Sequence, residues 1–206
     1  MSTTTLYLIR HAEVEARYQH VFGGRIDMAI SQRGHEQATA LAGFLKRKLL
    51  HALYASPMKR VQQTLAPLLG NGAPTPTILP NLREVDFGDW TDHGWEAVRE
   101  QFGVSAFTWL DQLERGTIPN AENITSYRTR VAECLAEIRR TQTGRTSAVY
   151  CHGGVIRMLL SILLDLPLPK TDSFQIDYAS VTEVTIGPDR TRIELLNFAP
   201  WRELVL

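Results

Sequence analysis

Two cysteines are too few to staple a chain together. Cys134 and Cys151 stand far apart, so they draw neither a disulfide framework nor a zinc pattern. They read as reduced thiols of a cytoplasmic protein. Charge of one sign is also missing: across 206 residues, 22 Lys and Arg balance 22 Asp and Glu. No global field is available to attract nucleic acid or a membrane surface, and neither is expected as a partner. Long apolar runs are absent as well. The first, Leu6 to Ile9, is far too short for a signal sequence or a membrane span, and Met1 to Thr5 before it is polar. There is no internal repeat and no low-complexity tract. These absences leave a globular chain able to bury one sizeable core. It is expected to be a single domain over 1–206 with an insertion, or cap, at about 81–122.

Strand and helix signals alternate along the chain. Leu6-Tyr7-Leu8-Ile9 reads as a short buried strand. A loop with Gly23-Gly24 and Asp27 leads to Ser31, an N-cap. The helix after it has Gly34 just inside and Ala38, Leu41, Ala42 and Leu45 on one stripe. Leu49 to Ala55 reads as a second strand. Ser56-Pro57 then reads as a helix start, with serine as N-cap and proline in first position. That helix carries Arg60, Thr64 and Leu68 on one side. Gly70 to Pro80 is loop, with a short strand at Ile78-Leu79. In the insertion, Trp95 to Leu113 is expected to be helical. Asn123 to Arg140 is an amphipathic helix, Ser147 to Cys151 a buried strand, and Gly154 to Leu164 an apolar helix. Val181 to Ile186 and Arg192 to Phe198 alternate as strands around Gly187-Pro188-Asp189. The apolar end, Trp201 to Leu206, could dock on the core or join two copies into a homodimer; docking is the preferred reading. The alternation predicts a three-layer α/β/α fold with a mostly parallel central sheet.

Four segments each set a polar group just past a strand or at a helix start. They are Arg10-His11, Ser56 to Arg60, Arg83-Glu84 and His152-Gly153-Gly154. In a doubly wound sheet such segments converge on one rim. Two imidazoles, two guanidiniums and a carboxylate suit a phosphate monoester, a dianion whose transfer needs several cationic donors. A neutral histidine can attack phosphorus and hold the phosphoryl group. A protonated glutamate can supply the leaving alkoxide with a proton and, once ionised, activate water. Gly153 and Gly154 open a helix whose N–H groups and dipole favour an anion. No metal is required, since no HxH or HExxH pairing occurs and neighbouring arginines would repel a cation. No cofactor is expected. Plainer readings exist for each residue. Glu84 could pair with Arg83 at the surface, Arg60 could be solvated, and His152 could be a strand-end hydrogen-bonder. Cys151 reads as an inert buried thiol. His20, His35, His51 and His93 are placed on the surface, and Trp90, Trp95 and Trp109 inside the insertion.

The motifs also come in a recognisable order. Leu8-Ile9-Arg10-His11-Ala12-Glu13 is followed by Gly24, Asp27, Ser31, Gly34 and Gln37-Ala38. Next come Ser56-Pro57-Met58-Lys59-Arg60-Val61-Gln62-Gln63-Thr64 and Leu82-Arg83-Glu84 with Phe87-Gly88 and Trp90. Cys151-His152-Gly153-Gly154-Val155-Ile156-Arg157 and Ser180-Val181-Thr182 close the series. Over about residues 6 to 186 this order resembles the histidine phosphatase superfamily, in its phosphoglycerate-mutase-like branch. The resemblance implies that His11 is the phosphorylated nucleophile and that Arg10, Arg60 and His152 hold the phosphoryl oxygens. It makes Glu84 the general acid and base, and it needs no metal. Gly153 and Arg17 are further candidates at the phosphate; Gly24 and Glu122 are candidates for the substrate pocket. Some positions depart from the family pattern. Ala12 replaces a glycine, Val14 a threonine and Arg17 an asparagine; Thr91-Asp92 replaces Glu-Gly, and Ala121-Glu122-Asn123 only partly matches GGES. Arginines beside His11 should keep it neutral, and Arg17 could select substrates with a second acidic group.

The function expected from this is a metal-independent phosphomonoesterase, a histidine acid phosphatase-type phosphoric monoester hydrolase. Its partner is a small-molecule phosphomonoester: a sugar phosphate, a phosphoglycerate, a nucleotide-loop intermediate of cobalamin synthesis or a phosphoamino acid. A phosphoglycerate mutase comes second, because that branch usually has a longer insertion to exclude water. Phosphohistidine-protein phosphatases of this family are usually shorter. A non-catalytic phosphate binder is the alternative of another class, but binding alone needs no acid at Glu84.

Overall fold

The structure is a computed structural model describing residues 3–70 and 72–205, the last three by backbone only. Alternation along the first strand, β1 (Thr4–Arg10), sets the architecture. Leu6 and Leu8 point to one side, Tyr7 and Ile9 to the other, and all four are buried. A strand buried on both faces must be covered on both faces. The strand β4 (Thr146–Cys151) divides the same way, Val149 and Cys151 against Ala148 and Tyr150. Against Tyr7 and Ile9 pack α1 (Gln32–Leu45) and α2 (Lys59–Leu65), through Leu41, Leu45, Val61 and Leu65. Against Leu6 and Leu8 pack α5 (Ile124–Thr141) and α6 (Gly153–Leu164), through Val131, Leu135, Val155 and Leu159.

The remaining strands are β2 (Ala52–Ala55), β3 (Pro76–Ile78), β5 (Val181–Ile186) and β6 (Thr191–Phe198). Their order across the sheet is β3-β2-β4-β1-β5-β6. The first four are mutually parallel, and β5 runs against both its neighbours. This is the three-layer, mostly parallel arrangement that the strand-helix alternation predicts.

Ser31 caps α1 as expected, accepting from the Gly34 N–H at 2.9 Å. Other boundaries move. The second strand begins at Ala52, and Leu49 is 77% exposed. Ser56 is not the N-cap of α2, which starts three residues later at Lys59; the serine hydroxyl is turned to His152 instead. The insertion holds two helices, α3 (Trp95–Phe102) and α4 (Trp109–Glu114), and not one. Gly103, at φ +69°, ends α3 in the left-handed conformation that a side chain would resist. Trp90, Val98, Leu110 and Leu113 bind this region to the α5/α6 side of the core. Trp201 docks, packing near α1 while its indole N–H donates to the Tyr178 carbonyl at 2.8 Å; Leu206 lies outside the described residues. Among the described residues no helix is long and apolar enough to cross a membrane.

Candidate active site

Three neighbouring parallel strands end at one rim, and each hands over to a functional side chain. Arg10 ends β1 and His11 follows; Ser56 follows β2; His152 follows β4. Backbone bonds continue the ladder past the strands, from His11 N–H to the Cys151 carbonyl at 3.0 Å and from Ser56 N–H to the Tyr150 carbonyl at 3.0 Å. The two imidazoles therefore meet edge to face, with ring centroids 5.3 Å apart.

His11 is 6% exposed. Its Nδ1 lies 2.9 Å from the Ala12 carbonyl, an acceptor, so Nδ1 carries the proton. The lone pair is left on Nε2. Burial first, then the charges of Arg60 and Arg10, hold this imidazole well below its ordinary pKa of 6.5. The arginines do act as the sequence suggested, but desolvation is the larger cause. His152 is fully buried and is lowered the same way, again by burial first. Its Nε2 is 2.9 Å from the Ser56 hydroxyl, which itself accepts from the Met58 N–H at 3.4 Å. Where the hydroxyl donates to Nε2, the ring proton sits on Nδ1. That Nδ1 is buried with no partner.

The guanidiniums complete the cradle. Arg60 is 2% exposed and spans the entry loop, donating to the carbonyls of Ile26 at 2.7 Å and Gly24 at 2.8 Å. Burial lowers it to about 10, which leaves it charged at neutral pH. Arg10 donates to the Ile176 carbonyl at 2.7 Å and lies 4.0 Å over the Tyr178 ring, while its Nε is buried without a partner. Arg10 Nε, a donor, and His152 Nδ1, a donor in that tautomer, are both buried without a partner near an imidazole with a free lone pair. Buried donors are normally satisfied, and an anion would satisfy these.

Glu84 reaches the same place from the insertion. Its carboxylate accepts from the Val85 N–H at 3.0 Å and from the Gly154 N–H, at the start of α6, at 3.1 Å. One of the helix N–H groups expected at an anion is thus taken by Glu84. Gly153 lines the cavity, with its Cα hydrogen toward Arg10: an added Cβ would lie 3.5 Å from Arg10 Nε.

These groups line a cavity of about 560 Å³. Arg10, His11, Arg60, Glu84, Gly153 and Gly24 all border it; buried His152 does not, but its ring meets that of His11. Two sequence candidates stand elsewhere. Arg17 is exposed on a short 3-10 turn, stacked 4.2 Å over Tyr18 and bonded to its hydroxyl; only Tyr18 borders the cavity. Glu122 is bound by Arg130 Nε and Nη2 at 2.6 and 2.8 Å and does not line the cavity. Trp95, Trp109 and His20, which the sequence assigns to the packed insertion or the surface, form a wall of the cavity. Tyr178, which carries no signal in the sequence, also borders the cavity. Thr64 accepts from the Ala12 N–H at 2.8 Å and so holds the loop after His11. Among the described residues no group of three His, Cys, Asp or Glu side chains is placed to hold a metal.

Comparison with known proteins bears on this geometry. The family model described as histidine phosphatase superfamily (branch 1) matches residues 6–199. Phosphoserine phosphatase 1 of Hydrogenobacter thermophilus is 30% identical over 192 residues, covering 93% of this chain and 91% of that protein. The adenosylcobalamin/alpha-ribazole phosphatase of Escherichia coli is 24% identical, covering 93% and 95%. The mycobacterial glucosyl-3-phosphoglycerate phosphatase structure superposes with a TM-score of 0.84 at 20% identity, covering 95% of this chain and 99% of that one. At such identity the last likeness speaks for the fold alone.

Proposed function

This chain belongs to the histidine phosphatase superfamily (branch 1), and we propose on that footing that it is a metal-independent phosphomonoesterase working through a phosphohistidine on His11. The observation that carries the reading is a neutral, buried imidazole whose Nε2 lone pair is free, in a cavity bordered by Arg10, Arg60 and the Glu84 carboxylate, with the Arg10 Nε donor buried and unpartnered. In the first step Nε2 attacks phosphorus, the P–O bond to the alcohol breaks, and the leaving alkoxide takes a proton from Glu84. Arg10, Arg60 and His152 Nδ1 carry the spread charge on the phosphoryl oxygens. In the second step the Glu84 carboxylate takes a proton from water, the water oxygen attacks phosphorus, and the P–N bond breaks. Inorganic phosphate leaves and neutral His11 returns. A non-catalytic binder would have no use for an acid held at the nucleophile.

The substrate class is a small phosphorylated metabolite, as the names of the phosphoserine and alpha-ribazole relatives suggest. The test is phosphate release from a panel of such esters in the presence of chelator, by wild type and His11→Ala side by side. Release that vanishes in the variant is the expected result. Release that survives it removes His11 as nucleophile. Including 3-phosphoglycerate lets mutase activity register as isomerisation without phosphate release.

A further inference from the structure

Glu84 belongs to a stretch without regular structure, between 3-10 turns at Pro80–Leu82 and Gly88–Trp90. Its position is nevertheless specified closely. Arg130, on the 18-residue helix α5, donates Nη1 to the carbonyls of Asn81 at 2.6 Å and Arg83 at 2.7 Å, and Nη2 to that of Glu84 itself at 3.2 Å. The rest of its fork grips Glu122, whose Oε2 accepts from the Asp86 N–H at 3.4 Å. One ion pair thus holds the backbone on both sides of residue 84. The pair is shielded, with side chains 13% and 9% exposed. The guanidinium is seated 4.8 Å over the Tyr127 ring, and α5 is itself anchored in the core by Val131 and Leu135.

We propose that Arg130 and Glu122 are positioning residues for the general acid: they lock the turn so that the Glu84 carboxyl rests on the Gly154 N–H and faces the nucleophile. The proposal rests on the reading of Glu84 as proton donor. A lysine could not substitute fully, since a single ammonium cannot reproduce a planar fork bound to three carbonyls and a carboxylate.

A displaced acid has a signature that a loosened fold lacks. An alkoxide needs a proton to leave, whereas nitrophenolate leaves without one. The experiment therefore compares kcat/KM on 2-phenylethyl phosphate and on p-nitrophenyl phosphate, two ring-bearing esters of similar size. For Arg130→Met, kcat/KM on the alkyl ester is expected to fall about 100-fold or more, the range of a lost general acid, and on the aryl ester by less than about five-fold. Glu84→Gln sets the benchmark for that pattern. Glu122→Gln keeps the shape of the side chain and is expected to show the same pattern to a smaller degree, as is Arg130→Lys. The double variant Glu84→Gln/Arg130→Met is expected to be no worse on the alkyl ester than Glu84→Gln alone. The ratio of the two esters is independent of how much protein folds. Equal losses on both esters, or an unchanged ratio, overturn the brace while leaving the phosphatase reading intact. An unchanged ratio in Glu84→Gln itself overturns the acid assignment, and the brace with it.

Discussion

Ala12 keeps a negative φ, its N–H is held by Thr64, and its methyl is fully buried among residues of α1 and α2. The departure from glycine beside the nucleophile is therefore accommodated by packing and not by strain. Ala12→Gly is expected to cost roughly 1 kcal/mol, from a lost buried methyl and a freer unfolded chain, while phosphohistidine formation persists. Urea unfolding alongside single-turnover labelling checks both halves. The depressed pKa of His11 has its own consequence. Phosphoenzyme formation is expected to continue as pH falls below 6.5, where an ordinary imidazole would be protonated and inert. A single-turnover rate that drops with an apparent pKa of 6.5 or above contradicts this. At this scale the sequence is legible where a residue's position follows from its place at or after the end of a strand, as for Arg10, His11 and His152. It is not legible for Arg17 and Glu122. Those side chains extend from a turn and from the foot of a helix, and only their partners, Tyr18 and Arg130, decide where they point.

Helix α6 opens directly against Glu84. A Cβ added at Gly154 would lie 2.5 Å from Glu84 Oε1 and 3.2 Å from the Tyr127 hydroxyl, too near for both to stay. Gly154→Ala is expected to move the carboxyl and lower kcat/KM on alkyl phosphates by at least about ten-fold, even though alanine favours a helix. Wild-type rates in that variant would contradict the placement of Glu84. The insertion contributes a second element-scale effect. Phe87 and Trp109 meet at 5.4 Å, Trp95 meets Phe107 at 4.9 Å, and Trp95, 41% exposed, borders the cavity. Such a wall should grip the alcohol half of a substrate by its apolar surface. Trp95→Ala is expected to raise KM for 2-phenylethyl phosphate several-fold more than for glycerol phosphate, by roughly the 1 kcal/mol such contacts contribute; equal shifts contradict it. Short apolar runs recover β1 and β4, and repeating burial recovers β5, β6, α1, α5 and α6; β3, mostly exposed and without a repeat, lies at Pro76–Ile78 and not at Ile78-Leu79. The insertion is less legible because Gly103 and Ser105 divide one apolar stretch into two helices. Ser56 misleads for a related reason: a residue suited to capping is claimed by a ring that is distant in sequence and adjacent in space.

Across the whole molecule the two neutral imidazoles link stability to pH. Both His11 and His152 are lowered on folding, chiefly by burial. A lowered base binds fewer protons folded than unfolded, so its contribution is complete above the unfolded value of 6.5 and drains away as pH falls below it toward the folded value. Each imidazole is expected to remove up to about 1.4 kcal/mol per pH unit in that window. Denaturant midpoints measured from pH 7.5 to 5.0 test the slope, and a flat profile contradicts it. The convergence of strand ends at one rim reaches further than chemistry. β1 pairs with β4 across more than a hundred residues of intervening chain, and the phosphate cradle draws on segments at 10–11, 60, 84 and 152. No contiguous fragment can assemble it. Loop closure of that span must precede any binding, so folding should be slow and cooperative. Catalytic power is then an all-or-none reporter of the native state, expected to vanish in the same transition as tryptophan fluorescence, with no partly folded form that still turns over.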